Sequence, residues 1–151
     1  MIEAAAALLI VRIGLWTLPF STLTRLLDRL ATPAERQKPA AEAGRIGRIV
    51  EGVARRLPLG MTCLVEALAA RAMLRRRGYD SRVRFGVRSA KSRRTIESHA
   101  WLECDGLVVV GAIDALQEYA PMNAANADAG FITREHSRAH LRGRATRSTR
   151  T

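Results

Sequence analysis

The chain has 151 residues, of which 48 % are apolar, and a formal net charge of +11. This length fits one domain that can bury its own core. Two cysteines are too few for a disulfide scaffold or a multi-cysteine zinc module, and the apolar fraction excludes global disorder.

The basic residues are almost all arginine and are unevenly spread. Six of them lie in residues 123–151 against two carboxylates, and this segment has few large hydrophobic residues. We therefore predict that 123–151 is a basic, disordered tail. Aromatic residues make up only 5 % of the chain and no nucleic-acid-binding motif is present, so no nucleic acid is expected as a partner. Binding of nucleic acid through the arginine-rich surface stays an alternative.

The first part of the chain, residues 2–30, is strongly apolar but interrupted by Arg12 and Pro19. The run before Arg12 is too short to span a bilayer. It also lacks the basic start and the small-residue cleavage site of a secretory signal. We predict one or two helices, split near Pro19, in a cytoplasmic protein. A helix on a membrane surface, with peripheral membrane contact, is the alternative.

A polar connector follows over residues 31–43, in which Thr32-Pro33-Ala34-Glu35 resembles a capping box. A further helix is predicted over about 40–56, where apolar residues recur at helical spacing until Pro58. Residues 1–58 are thus predicted to be an N-terminal helical subdomain.

The segment Cys63–Arg77 has the pattern of a helix, and Gly78 supplies its stop. Thr62 is the predicted N-cap, which places Cys63 in the first turn. The unsatisfied N–H groups and positive pole of a helix start stabilise a thiolate, and the same groups can hold an oxyanion. Cys63 is therefore a candidate nucleophile, with a small buried cysteine as the alternative.

After Gly78 apolar residues recur at every second position, which is the spacing of a β-strand. We predict one strand around Val83–Val87, a basic loop over 89–94, and strands over 95–104 and 107–113. Asp105-Gly106 is a two-residue hairpin signal. Helices followed by a small antiparallel sheet indicate an α+β fold.

His99 lies in the middle of the second predicted strand. Alternation places His99, Trp101 and Glu103 on one face, and Ala100, Leu102 and Cys104 on the other, which is the core face. His99 is the candidate general base, and Trp101 and the 89–94 loop are candidates to flank its cleft. A hydrogen-bonded structural histidine is the alternative.

A third group is expected to orient the imidazole. A regular hairpin would pair His99 with Ala112 and place Asp114 diagonally on the same face. Asp114 is therefore the candidate acid. Glu103 shares that face further along, and Asp105 is interpreted as a turn residue.

Several of these segments together resemble one family. They are Met61-Thr62-Cys63-Leu64, the helix end Leu74–Tyr79, the strand Val83–Val87, and Ser98–Glu103 with the following Asp105-Gly106. In this combination, roughly over residues 10–122, the chain resembles the transglutaminase-like leader peptidases of lasso-peptide biosynthesis, in their short stand-alone form.

The resemblance implies a papain/transglutaminase-like cysteine-protease fold, with residues 59–122 as its catalytic core, that removes the leader from a ribosomally made precursor peptide. A separate cyclase would then close the macrolactam. It also implies a separate leader-binding protein, because the residues before Cys63 read as helices. Cys63 matches the nucleophile of the family and His99 its base. Some members carry the acid about a dozen residues after the histidine, where this chain has Gly111; either the acid shifts to Asp114 or the histidine is oriented in another way.

Other functions stay open from the sequence. A non-catalytic peptide- or membrane-binding scaffold with the same fold is one, and acyl transfer such as transglutamination is another. No nucleotide or dinucleotide motif is present, so no cofactor is assigned. Cys104 is interpreted as a packing residue. His136 and His140 have helical spacing but no accompanying ligands, so no metal is assigned.

Overall fold

A computed structural model describes residues 1–29, 40–89 and 96–122. The predicted capping box, most of the basic 89–94 loop and the predicted tail 123–151 lie outside the described residues. The helices are α1 (Ile2–Thr17), α2 (Phe20–Arg29), α3 (Ala40–Ala54) and α4 (Cys63–Arg75). The strands are β1 (Ser81–Ser89), β2 (Ile96–Cys104), β3 (Leu107–Val110) and β4 (Ala120–Met122), with a 3₁₀ helix over Leu116–Glu118.

The predicted break between the first two helices is confirmed. Leu18 has extended dihedral angles, φ −124° and ψ 146°. The ring of Pro19 disfavours the helical region for the residue before it, and this explains why α1 ends there. The chain turns and begins α2 one residue after the proline.

The N-cap of α4 and its glycine stop form as the sequence predicts. The hydroxyl of Thr62 accepts a hydrogen bond from the N–H of Val65, so Thr62 is the N-cap. At the other end Gly78 has φ +76°, and the N–H of Tyr79 reaches back to the carbonyl of Leu74. This is the Schellman arrangement, in which glycine adopts the left-handed conformation without a Cβ penalty. Regular helix nevertheless ends at Arg75, two residues earlier than predicted.

The strands form one antiparallel sheet in the order β3-β2-β1-β4. The hairpin between β2 and β3 turns at Asp105 and Gly106, whose positive φ angles of 49° and 76° are those of a type I′ turn. Strand β4 was not predicted from the sequence. It is short and contains Pro121, which an edge strand tolerates because one of its sides is not paired.

The predicted register of the hairpin is wrong beyond its first pairs. Leu107 faces Cys104 as expected, but Leu102 pairs with Val110 because a bulge interrupts the ladder. Strand β3 also ends at Val110 instead of residue 113. Consequently the predicted pairing of His99 with Ala112 does not form.

One hydrophobic core joins the helices to the sheet. Its fully buried large side chains are Leu8, Val11, Val50, Leu68, Leu74, Leu102 and Val110. Helix α3 packs so closely on β3 that a Cβ on Gly47 would lie 1.8 Å from the carbonyl oxygen of Val109. Although α1 is the most apolar helix, none of the helices within the described ranges has the length and hydropathy of a bilayer span.

Candidate active site

The candidate nucleophile lies where the sequence places it. Cys63 is the first residue of α4, directly after the N-cap Thr62, and is half-buried. The turn before it contains Gly60, with φ +55°, whose carbonyl accepts a hydrogen bond of 3.1 Å from Arg12 of α1. Helix α1 therefore holds the loop that leads into the first turn of α4.

The candidate base, His99, has a defined partner. Its Nε2 lies 2.8 Å from the carbonyl oxygen of Gly111. Because a carbonyl can only accept, Nε2 must carry the proton in this bond. In the neutral imidazole, Nδ1 is then the nitrogen with a lone pair that can accept a proton.

Gly111 is itself held from the other side. Its N–H donates a 3.0 Å hydrogen bond to Oε1 of Glu51, on α3. Gly111 has φ +78°, and a Cβ there would approach the carbonyl oxygen of Ala100 to 2.9 Å. Both the left-handed backbone and the close approach to β2 require glycine at this position. Glu51 and Gly111 were not identified from the sequence as site residues, since an internal helical glutamate and a glycine give no local signal of such a contact.

Glu51 also connects this region with α4. The pKa of Glu66, on α4, is raised by burial and then by the nearby charge of Glu51, and lowered by Arg55. Glu66 follows Cys63 by three residues, so the two share a face of the helix. Hydrogen bonds thus link Glu51 of α3 through Gly111 to His99, and the charge of Glu51 acts on Glu66 of α4.

Aromatic side chains pack beside His99 on the same face of the sheet. The ring of Trp101 stacks near it at 6.2 Å between centroids, and that of Tyr119 lies at 5.6 Å. Gly86 of β1 leaves room for both, since a Cβ there would lie 2.8 Å from Cβ of Tyr119 and about 3 Å from the indole. Arg88 covers the other part of the Tyr119 ring. These contacts restrict the imidazole to one region of the surface.

The predicted core face of β2 is confirmed by the burial of its residues. Leu102 and Cys104 lie in the core that α4 shares with the sheet, and Ala100 is buried. Burial, followed by the charges of Asp105 and Asp80, raises the pKa of the Cys104 thiol. Cys104 is therefore a packing residue and not a second nucleophile.

The structure does not bring all three predicted site residues together. Asp114 is exposed in the segment after β3. The imidazole of His99 contacts the carbonyl of Gly111 and not the carboxylate of Asp114, which the sequence predicted as its partner. Within the described residues, no hydrogen bond joins Cys63 to His99, whose side chain lies on the face of β2 opposite to the core. Among the described residues, the side-chain hydrogen bonds of His99 therefore join it to Gly111 and, through Gly111, to Glu51.

Two further features of the described residues bear on ligands. No group of three His, Cys, Asp or Glu side chains within them has the geometry of a metal site, and His136 and His140 lie outside them. A polar groove of about 250 Å³ opens at the hairpin end of the sheet. It is lined by Asp80, Arg82, Arg84, Glu103, Asp105 and Gly106, and includes neither candidate catalytic residue.

The family model of the transglutaminase-like superfamily matches residues 5–124. The match covers most of the chain, so the protein belongs to the transglutaminase-like superfamily. Comparisons with curated proteins and with solved structures give no match. The expected α+β, transglutaminase-like fold is confirmed at this level, and members of the superfamily are commonly cysteine peptidases or transferases.

Proposed function

We propose that this protein is a cysteine peptidase that removes the leader from a lasso-peptide precursor, with Cys63 as nucleophile and His99 as general base. The observation that carries the proposal is the combination of Cys63 at a capped helix start with a histidine whose Nε2 is engaged by Gly111. This arrangement leaves Nδ1 for proton transfer.

In the proposed reaction, Nδ1 of His99 takes the proton of the Cys63 thiol, and the thiolate attacks the carbonyl carbon at the junction of leader and core. The N–H groups of the first turn of α4 stabilise the oxyanion. The protonated imidazole then gives its proton to the leaving amine as the C–N bond breaks. Water hydrolyses the thioester, which releases the leader as a carboxylate and restores the thiol.

Gly111 and Glu51 take the role in this proposal that the sequence assigned to Asp114. The Gly111 carbonyl orients the imidazole, and Glu51 holds the Gly111 peptide. A backbone carbonyl fixes the tautomer as a carboxylate would, but it does not supply a full negative charge to stabilise the imidazolium.

The substrate and partners follow from the resemblance of the motifs. The product amine of the core peptide would be joined in the macrolactam by a separate cyclase. A separate leader-binding protein would present the precursor, as the resemblance implies, since α1 and α3 belong to the core of the domain that carries Cys63.

Cleavage by the purified full chain, with precursor and leader-binding protein, tests the proposal. Cys63→Ala and His99→Ala are each expected to abolish leader removal while thermal unfolding stays cooperative. Cys104→Ala is the matched control, because it removes the other thiol and is expected to retain cleavage despite some loss of stability. Normal cleavage by Cys63→Ala would contradict the mechanism.

The mass of the product separates the competing functions. Hydrolysis divides the precursor into two peptides, whereas transglutamination loses ammonia and joins amines. Binding of the precursor without any change in its mass would instead support the non-catalytic scaffold. Asp114→Asn decides the third position: an unchanged rate supports Gly111, and a severe loss would restore the sequence-based assignment.

A further inference from the structure

The outward face of α1 is apolar along its whole length. Its buried side contacts the core through Ala4, Leu8 and Val11, yet the opposite side is equally free of charged residues. The exposed positions there follow helical spacing: Ile2, Ala6, Leu9, Ile10, Ile13 and Trp16. We call these six residues the α1 stripe.

The side chains of the α1 stripe are exposed to a degree unusual for their size. Trp16 is 87 % exposed and Ile2 89 %, whereas the other tryptophan, Trp101, is 7 % exposed. A monomeric soluble protein rarely exposes a contiguous apolar patch of more than roughly a few hundred Å². Such a helix face indicates a surface that is covered in use.

The carboxylates of α1 and α2 are paired with arginines, whereas α2 also exposes arginine side chains. Glu3 of α1 is bonded at 2.6 Å to Arg77, which lies just beyond the end of α4, and Asp28 of α2 is bonded at 2.6 Å to Arg71 of α4. Arg25 and Arg29 of the following helix, α2, are exposed. The two helices therefore expose positive charge, while their acids are neutralised by arginines.

This charge pattern distinguishes between possible occupants. A second copy of the chain would bring the same positive charges and a net +11 of its own, which opposes association. The 123–151 segment is basic and has few large hydrophobic residues, so it is a poor cover for an apolar face. An anionic bilayer offers both an apolar interior and negative headgroups, and indole side chains favour its interface.

We propose that the α1 stripe is a docking surface for an anionic lipid membrane. The apolar side chains enter the boundary between headgroups and acyl chains, while Arg25 and Arg29 contact the headgroups. The helix lies in the plane of the membrane and does not cross it. Its other face stays packed on the domain, and Arg12 links it to the loop before Cys63.

Cosedimentation with vesicles of phosphatidylcholine containing about 30 % phosphatidylglycerol tests this proposal, since anionic lipid supplies the electrostatic part of such binding. The full chain is expected to bind these vesicles and to bind pure phosphatidylcholine more weakly. Ile10→Ser with Trp16→Ser is expected to weaken binding by at least about tenfold, because two exposed apolar side chains no longer enter the bilayer. Leu107→Ser, at the exposed hairpin, is the matched control and is expected to bind as the unchanged chain does.

Trp16 also supplies a direct signal. Its fluorescence is expected to shift to shorter wavelength on binding, and Trp16→Phe is expected to lose that shift while still binding. Vesicle binding unaffected by the double substitution would overturn the proposal and assign the contact to the basic segments. Absence of vesicle binding would also overturn it, and a dimer that the double substitution dissociates would assign the α1 stripe to a second copy.

Discussion

The Nε2 atom of His99 lies 2.8 Å from the carbonyl oxygen of Gly111. Twelve residues after the histidine, a backbone group therefore holds the imidazole where a carboxylate side chain was expected. The peptide that supplies this carbonyl is fixed in turn by Glu51 of α3, through the N–H of Gly111. Orientation of the candidate base thus depends on helix α3 packing against the end of β3.

Gly111→Ala tests whether the peptide conformation matters for activity. A side chain at φ +78° costs about 1–2 kcal/mol, and its Cβ would crowd the Ala100 carbonyl oxygen. We expect a lower melting temperature and a fall in cleavage rate of at least about tenfold, because the imidazole loses its position.

Gly106→Ala is the matched control for that substitution. Gly106 has nearly the same φ, +76°, but no atom lies within 4 Å of a Cβ built there. The backbone strain is thus alike, while the contact with His99 is untouched. Similar loss of cleavage in both variants would show that strain alone is responsible and that Gly111 does not position the base.

Glu51 is proposed as a positioning residue. Glu51→Ala removes the acceptor for the Gly111 N–H and is expected to lower kcat about tenfold with little change in KM, because the reacting groups are misaligned. Glu51→Gln keeps an acceptor oxygen and is expected to restore most of the activity. The pH dependence of kcat/KM for both variants is the measurement, since a purely structural role would leave its shape unchanged.

Substitution by alanine at Gly47 and at Gly44 of α3 is expected to have opposite effects on the free energy of unfolding. A Cβ at Gly47 would meet the Val109 carbonyl oxygen at 1.8 Å, so Gly47→Ala must separate α3 from β3 and is expected to cost about 2–3 kcal/mol. At Gly44 the nearest atom is the flexible end of Arg48, 3.6 Å away. Gly44→Ala is expected to stabilise the protein by up to about 1 kcal/mol through helix propensity. Urea unfolding compares the two, and equal effects would contradict the close contact of α3 with β3.

Tyr79 is expected to make the stability of the folded protein depend on pH in the alkaline range. The Tyr79 hydroxyl donates a 2.6 Å hydrogen bond to Glu42. This bond, followed by burial and the charge of Glu42, raises the pKa of Tyr79 from 10.0 to about 12. Because the raised value favours the neutral phenol in the folded state, the stabilisation is complete below pH 10 and is lost as pH rises through 12.

Tyr79→Phe checks this dependence. Near neutral pH the variant is expected to be less stable by about 1 kcal/mol, the usual contribution of one hydrogen bond. Above pH 10 the difference between the two proteins is expected to shrink. A constant difference across the alkaline range would contradict the role of the Glu42 bond.

Much of the local structure was predictable because its signals are short-range. Pro19 ends α1, Thr62 caps α4, Gly78 closes it, and Asp105-Gly106 turns the hairpin. Each depends on the dihedral preferences or hydrogen-bonding groups of a few adjacent residues. The same local information placed Cys63 in a first helical turn and assigned the two faces of β2.

Only the tertiary structure decided how these elements meet. A bulge opposite Leu102 and Glu103 changed the register, so Asp114 did not reach the position that regular pairing gave it. The contact between Glu51 and Gly111 joins residues sixty positions apart, and no local pattern encodes such a contact. The sequence by itself determined a basic single-domain chain with a cysteine at a helix start. The packing of α3 on β3 determined what holds the histidine, because that depends on how closely two distant backbones approach.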